Sequence, residues 1–273
     1  MDPATIIGLL LAFGSVLAMV GLEGASVSAL LLPAPMVLVF GATLAVGLAG
    51  NTLKDTIQAF KDLPKAFVGR QAKPQDTIDE MVGYAETARS EGLLALENRA
   101  AEAKDPFVAR ALQNIADGID GEELRTLMED EIDTKIRRDH VSSKFFASLG
   151  GYAPTIGIIG TVVSLTHVLE NLSTPDHLGP MIATAFVATL WGLVSANFIW
   201  LPFSSRLKRL SELEVERMTL LTEGMLAMQG GMQPLLLTER LQALVPANRL
   251  GKRASKAKGL DNLEGALDLG RAA

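Results

Sequence analysis

The sequence has no cysteine. Disulfides, CxxC redox chemistry and thiolate metal sites are therefore excluded. Its three histidines are scattered over 273 residues and leave no ligand spacing for a metal enzyme. No GxxxxGK[ST] loop, GxGxxG turn, HExxH helix or GxSxG elbow occurs. The chain thus carries no constellation for an enzyme and no cofactor motif. A net charge of −6 offers nucleic acid no basic surface. The first residues lack the basic stretch of a signal peptide, and their apolar run continues to Gly21 without an AxA-type site. That is the pattern of a retained membrane segment.

Lys and Arg are also absent from two short stretches, Glu23–Ala29 and Glu170–Pro180. All 25 basic residues fall elsewhere, 14 in Asn51–Lys144 and 11 after Phe203. The stretches that lack them join four apolar runs, Ile6–Leu22, Leu30–Gly50, Phe145–Leu169 and Met181–Phe203. Each run approximates the roughly 20 residues a helix needs to cross hydrocarbon. Apolar residues make up 48% of the chain, which suits a protein part in membrane and part in solvent. The first run is the shortest and is expected to begin at Pro3, a good first-turn residue. The positive-inside rule places both termini and the long middle segment in the cytoplasm. Trp191 and Trp200 are read either as interface anchors or as packing residues.

The expected architecture is all-α, a polytopic membrane protein with four transmembrane helices and a cytoplasmic helical domain. Residues 1–50 form a first transmembrane hairpin and 51–144 the cytoplasmic domain. Residues 145–203 form a second hairpin, 204–246 cytoplasmic C-terminal helices, and 247–273 a disordered tail. Lys252, Arg253, Lys256 and Lys258 in that tail would be solvated or would meet anionic headgroups.

Within the cytoplasmic part, Ile78, Met81, Val82, Ala85, Ala88, Leu93 and Leu96 recur at helical spacing. Asp76 is the expected N-cap of that helix. Asp105-Pro106 starts a second helix that stops at Gly118, and a third begins near Gly121 and runs into the third span. After the fourth span a helix continues to Gln229, turns at Gly230-Gly231 and restarts at Gln233-Pro234. There Leu235, Leu236, Leu241, Leu244 and Val245 would cover an apolar surface.

The spans contain no Asp or Lys in their middle, although an ion path usually needs a titratable group there. Thr161, Thr184, Thr189 and Asn197 are the interior polar set. A lone membrane threonine commonly bonds its own i−4 carbonyl. Thr161 and Thr189, however, fall near mid-depth in antiparallel neighbours and could together face a cation. Hydroxyls neither titrate usefully nor balance a charge, so a carboxylate would have to come from another chain. Pro154 removes one helical hydrogen bond early in the third span and is read as a hinge or a static kink. Gly157 and Gly160 offer flat surfaces for close helix packing.

The segments "ARSEGLLALE", "YAPTIGIIGTVVSLTHVLENL", "DHLGPMIATAFVATLWGLVSANFIWLP" and "EGMLAMQGGMQPLLLTERLQALVP" resemble the MotA/PomA family, the larger stator subunits of the bacterial flagellar motor. The resemblance covers nearly all of the chain except the tail. It implies an inner-membrane homopentamer around a MotB/PomB-type partner, a single-span, peptidoglycan-binding subunit that supplies the ion-carrying aspartate. It also implies torque on a FliG-type rotor protein, driven by H+ or Na+. By the same resemblance Thr161 and Thr189 line the ion path, Pro154 couples it to torque, and Arg89 and Glu97 contact the rotor. Thr161 points to sodium and Ala188 away from it, so both cations stay open. An ExbB/TolQ-like energiser of another envelope machine and a non-channel scaffold are the alternatives; the hairpin before residue 51 argues against the former.

Overall fold

The computed structural model describes residues 4–69, 72–173 and 175–250. Among them there is no strand, and the elements are α-helices with short 3₁₀ and π turns. They group into two compact units, residues 4–69 with 137–211 and residues 72–136 with 212–250. The expected start at Pro3 and the tail after Leu250 lie outside the described residues.

In the first unit, α1 (Ala4–Leu22) is a long apolar helix. A second apolar helix of 17 residues, Pro33–Ala49, consists of α2 (Pro33–Met36), a π turn over Val37–Ala42 and α3 (Thr43–Ala49). Among the described residues three helices have the length and composition to cross a membrane, and this one is shorter. Leu30–Leu32 of the expected second run precede it: Leu30 closes a 3₁₀ turn and Leu32 is the cap before Pro33. A proline favours such a first-turn position because its missing N–H is an orphan there anyway.

Helix α4 (Leu53–Val68) follows, capped by Thr52, whose hydroxyl accepts the Asp55 N–H at 3.2 Å. It buries Thr56, Ala59, Asp62 and Ala66, one stripe of the helix. Helix α8 (Gly121–Glu170) carries residues 137–170 into this unit, as expected of a helix running into the third span. Helix α9 (Pro175–Ser195), a π turn over Ala196–Trp200 and α10 (Leu201–Gln229) form the other long run. Phe60, Phe67, Phe145, Phe146, Trp200 and Phe203 stack edge-to-face or in parallel at 5.2–6.4 Å between ring centres. Such offset and T-shaped pairs suit the ring quadrupole. Trp200 is therefore a packing residue, and so is Trp191. Its indole N–H donates to the Leu30 carbonyl at 2.7 Å, and its ring lies 5.8 Å from Phe40.

In the second unit, α5 (Pro74–Glu91) begins at Pro74, with Lys73 as its N-cap and Asp76 in its first turn. The expected cap at Asp76 is thus corrected by three residues, because Pro74 already has the fixed φ of a first helical position. The continuous helical spacing from Ile78 to Leu96 is also broken. Gly92 at φ +87° ends α5, a 3₁₀ turn spans Leu93–Ala95, and α6 (Leu96–Glu102) restarts. Helix α7 (Pro106–Ala116) starts as expected, Asp105 accepting the Phe107 N–H at 2.9 Å. Helix α10 ends at Gln229, and α11 (Pro234–Ala243) follows a cap at Gln233.

The core of this unit includes Ile78, Met81, Leu96, Phe107, Leu112, Leu124, Leu221, Met225 and Leu237. Of the α11 leucines, Leu237 and Leu241 are buried with Val245, whereas Leu235, Leu236 and Leu244 are exposed. The inward stripe follows the i, i+4 row 237–241–245. Leu237, rather than Leu235 or Leu236, is therefore the α11 residue that meets the core first.

Candidate functional site

In the membrane unit α8 and α9 approach each other backbone to backbone at their glycines. A Cβ on Gly157 would lie 2.9 Å from the Ala188 carbonyl and 3.3 Å from the Thr189 Cα. One on Gly192 would lie 2.8 Å from the Ala153 carbonyl. The expected flat surface at Gly157 is therefore used. Gly160 lies against Ala188 and Leu38, and Gly150 against Leu201. Small residues at such a crossing let main chains approach where no hydrophobic drive separates lipid from side chain.

Pro154 sits in this seam, inside α8 and half-buried. Thr161 follows Gly160, and Thr189 follows Ala188, so both threonines flank the crossing. Both are half-buried, but their hydroxyls behave differently. Thr161 donates to the Ile158 carbonyl at 2.6 Å. No hydrogen bond of the Thr189 hydroxyl is found among the described residues. The other interior polar residues bond their own helix, Thr184 to Pro180 and Asn197 to Leu193, each at 2.9 Å. Of these four residues, Thr189 is the one whose side chain makes no bond to its own helix.

Among the described residues no group of three His, Cys, Asp or Glu side chains is placed to hold a metal ion. The crossing offers hydroxyl and carbonyl oxygens only. Such oxygens can replace part of a cation's water shell, but they cannot neutralise its charge in hydrocarbon. His167 is exposed, 3.6 Å from Glu170 and 3.3 Å from Asn171.

The other expected contact pair lies in the second unit. Arg89 is in the last turn of α5 and Glu97 in the first turn of α6. The left-handed φ of Gly92 makes the reversal between them, a conformation costly for any residue with a Cβ. Both side chains are exposed and make no ion pair among the described residues. Their neighbour Arg99 is engaged, by the Thr87 hydroxyl at 3.2 Å and Glu102 at 3.7 Å.

Three charged clusters were not read from the sequence. In the first unit Asp62 is only 4% exposed. Its carboxylate accepts from Ser142 at 2.7 Å and Gln58 at 3.0 Å, and Lys65 lies at 2.6 Å. Burial alone would raise its pKa, but the bonds from Lys65, Ser142 and Gln58 together hold it below the ordinary 3.8. In the second unit Arg217 pairs with Asp105 and with Glu214 at 2.8 Å. Burial opposes its charge, and the two carboxylates outweigh that and raise its pKa. Glu223 is similarly held down against burial by Arg125 at 3.1 Å and Arg240 at 2.8 Å. A signal for Asp62 was present, because it occupies a position on the inward stripe 56–59–62–66 of an amphipathic segment.

Comparison with known proteins gives the following. The sequence model of the MotA/TolQ/ExbB proton channel family matches residues 99–220. That described as Motility protein A N-terminal matches residues 6–92. The chain is 33% identical to Motility protein A of Bacillus subtilis, over 90% of this chain and 92% of that protein. Its fold matches the solved C. jejuni MotAB with a TM-score of 0.88 at 26% identity, covering 92% of this chain and all of the other. It matches the flagellar MotAB stator complex of Bacillus subtilis with a TM-score of 0.81 at 32% identity, over 89% and 96% of the two chains.

Proposed function

The chain belongs to the MotA/TolQ/ExbB proton channel family as a MotA/PomA-type member, and from that premise we propose its function. It is a flagellar stator subunit that works with a MotB/PomB-type partner and converts cation flow into torque. The observation that carries this reading is the match to the Bacillus subtilis stator complex over 96% of the solved chain. The N-terminal match over residues 6–92 separates the chain from ExbB/TolQ-like energisers. It is a channel subunit and not an enzyme, and it needs no cofactor besides the cation.

The finer assignments continue this reading. Four helices cross the inner membrane, the 17-residue apolar helix among them, with both termini cytoplasmic. The distribution of Lys and Arg supports that orientation. Five copies surround two copies of the partner, whose aspartate supplies the carboxylate that the α8–α9 crossing lacks. The free hydroxyl of Thr189 and the half-buried place of Thr161 beside the crossing support their assignment to the cation path. Pro154, inside the packed seam, is the torque-coupling hinge. Arg89 and Glu97, exposed and unpaired, meet a FliG-type rotor protein by charge complementarity.

The test is tethered-cell rotation of a stator-null strain carrying this chain and its cognate partner, at fixed pH, with sodium exchanged for potassium. Speed that rises and saturates with sodium identifies a sodium path. Speed indifferent to sodium but abolished by a protonophore identifies a proton path. No rotation with the complex assembled overturns the stator reading.

A further inference from the structure

The turn that separates Arg89 from Glu97 is bridged by a second pair of side chains. The Arg99 guanidinium donates through Nη2 to the Thr87 hydroxyl at 3.2 Å, across 12 positions of sequence. Thr87 is on α5, two residues before Arg89, and Arg99 is on α6, two residues after Glu97. Two residues are about 200° apart around a helix. On each helix the bridging residue and the contact residue therefore start from opposite faces. Burial agrees on α5, where Thr87 is 7% exposed and Arg89 is exposed. The Thr87 hydroxyl spends its own proton on the Gly83 carbonyl at 3.1 Å. It therefore meets Arg99 as an acceptor, the role a guanidinium requires of its partner.

The link between α5 and α6 gives such a bridge a purpose. It consists of Gly92, at φ +87°, and the 3₁₀ turn Leu93–Ala95, and glycine is the residue with the most backbone freedom. Leu96 and Ala100 anchor the inner face of α6 in the core. Apolar burial is non-directional, so it holds α6 in place without fixing its rotation about its own axis. A hydrogen bond is directional and weakens steeply away from linear geometry. Arg99 is also 3.7 Å from Glu102 on its own helix. Its side chain is 48% exposed, and ion pairs that open to water contribute little to stability. What the bridge supplies is therefore orientation more than stability.

We propose that Arg99 is a positioning residue for the rotor contact, its bond to Thr87 setting the angle between α5 and α6 and with it the spacing at which Arg89 and Glu97 are presented. Charge complementarity selects the partner whose charges match that spacing, and a contact organised in advance loses least on binding. A contact that transmits force has a further need, because a compliant pair yields under load before it pushes. The proposal rests on the reading of Arg89 and Glu97 as the rotor contact.

The experiment compares the complex of the chain with its partner, purified into nanodiscs, as wild type, R99A, T87V, T87S and R99A/T87V. Hydrogen exchange is followed in peptides covering the turn between α5 and α6, and bead rotation is measured in cells at high and low load. Valine keeps the shape of Thr87, removes the hydroxyl and alters no surface charge, so T87V decides the test even if R99A assembles poorly. R99A and T87V are each expected to speed exchange about fivefold, the population equivalent of one ordinary hydrogen bond. Both should lower torque at high load more than speed at low load, and T87S should restore both readouts. The double variant should match the singles, since all three lack the same bond, whereas independent effects would multiply to about 25-fold. Independent effects overturn the proposal, as do exchange like wild type in T87V and a T87S that fails to restore. R99A losing torque while T87V keeps it also overturns the proposal, because Arg99 then meets the rotor itself. If exchange shows the coupling while wild type fails to rotate, the stator reading falls and the Arg99–Thr87 bridge stands.

Discussion

The buried carboxylate of Asp62 gives a prediction that can be worked from geometry. Its three partners differ in what they lose when the bond is broken. Lys65 is 56% exposed, so water replaces most of its interaction, and a pair of that kind contributes about 1 kcal/mol or less. Ser142 is buried and donates to a charged acceptor at 2.7 Å, a bond worth about 1.5–3 kcal/mol. S142A is therefore expected to destabilise more than K65A, since it leaves a buried anion with one donor fewer. At about 2–4 °C per kcal/mol for a chain of this size, S142A lowers the midpoint by roughly 3–12 °C.

D62N keeps the shape and an acceptor for Ser142. In that background S142A removes only a neutral bond, worth about 1 kcal/mol, so the two substitutions are non-additive by about 1 kcal/mol. The assay is thermal unfolding of the purified complex across the four variants of the cycle. The pH dependence follows from the same bonds. The native pKa lies below 3.8, so the contribution is intact above that value and is lost as pH falls through the lower native one. Without Ser142 the native pKa moves up, and the acid loss begins at higher pH. Equal cost of S142A in both backgrounds, or K65A costing more than S142A, would refute the reasoning.

The other predictions follow from packing and charge. G192V drives a side chain into the Ala153 carbonyl, where a Cβ alone would lie 2.8 Å away, and neither main chain can yield cheaply. It is expected to cost about 1–3 kcal/mol or more and to lower complex yield on size exclusion. R217A leaves Asp105 and Glu214 without their shared cation and is expected to cost about 3 kcal/mol. R217K, which lacks the planar fork, should recover only part of that in thermal melts. G92A must hold φ near +87° against its Cβ, a strain of about 1–3 kcal/mol. On the proposed rotor contact it should reduce motility at unchanged membrane levels. Charge reversal at Arg89 or Glu97 should likewise reduce swimming with complexes intact, and unchanged swimming in the double reversal would remove that contact.

Periodicity and charge distribution made much of the fold legible. The helix starts at Pro106 and Pro234, the stop at Gln229 and the continuous α8 follow from caps, prolines and apolar spacing, because these are local signals. The errors share a cause. Asp76 resembles a cap as well as Lys73 does, and only Pro74 decides between them. Ile78 to Leu96 keeps one apolar rhythm through Gly92, and the left-handed turn at that glycine has no periodic signature. On α11 the choice between Leu236 and Leu237 depends on which row meets the core. The π turns at Val37–Ala42 and Ala196–Trp200 arise from how two helices fit, and no residue in them announces it. Asp62 stands in an apolar stripe, but its acceptability depends on Ser142, 80 positions away.

The threonines of the membrane unit show what sequence alone leaves undecided. Thr43, Thr161 and Thr189 are equivalent in composition, each a small hydroxyl in an apolar helix. Backbone context separates them. Thr161 spends its proton on the Ile158 carbonyl. Thr189 keeps both proton and lone pairs uncommitted beside the tight crossing. Thr43 is sealed from solvent with its proton unspent. Three different hydrogen-bonding states thus come from one residue type. Each helix carries a carbonyl three or four residues back within reach of its own threonine, so the deciding quantity is the rotamer, which helix packing sets and composition does not.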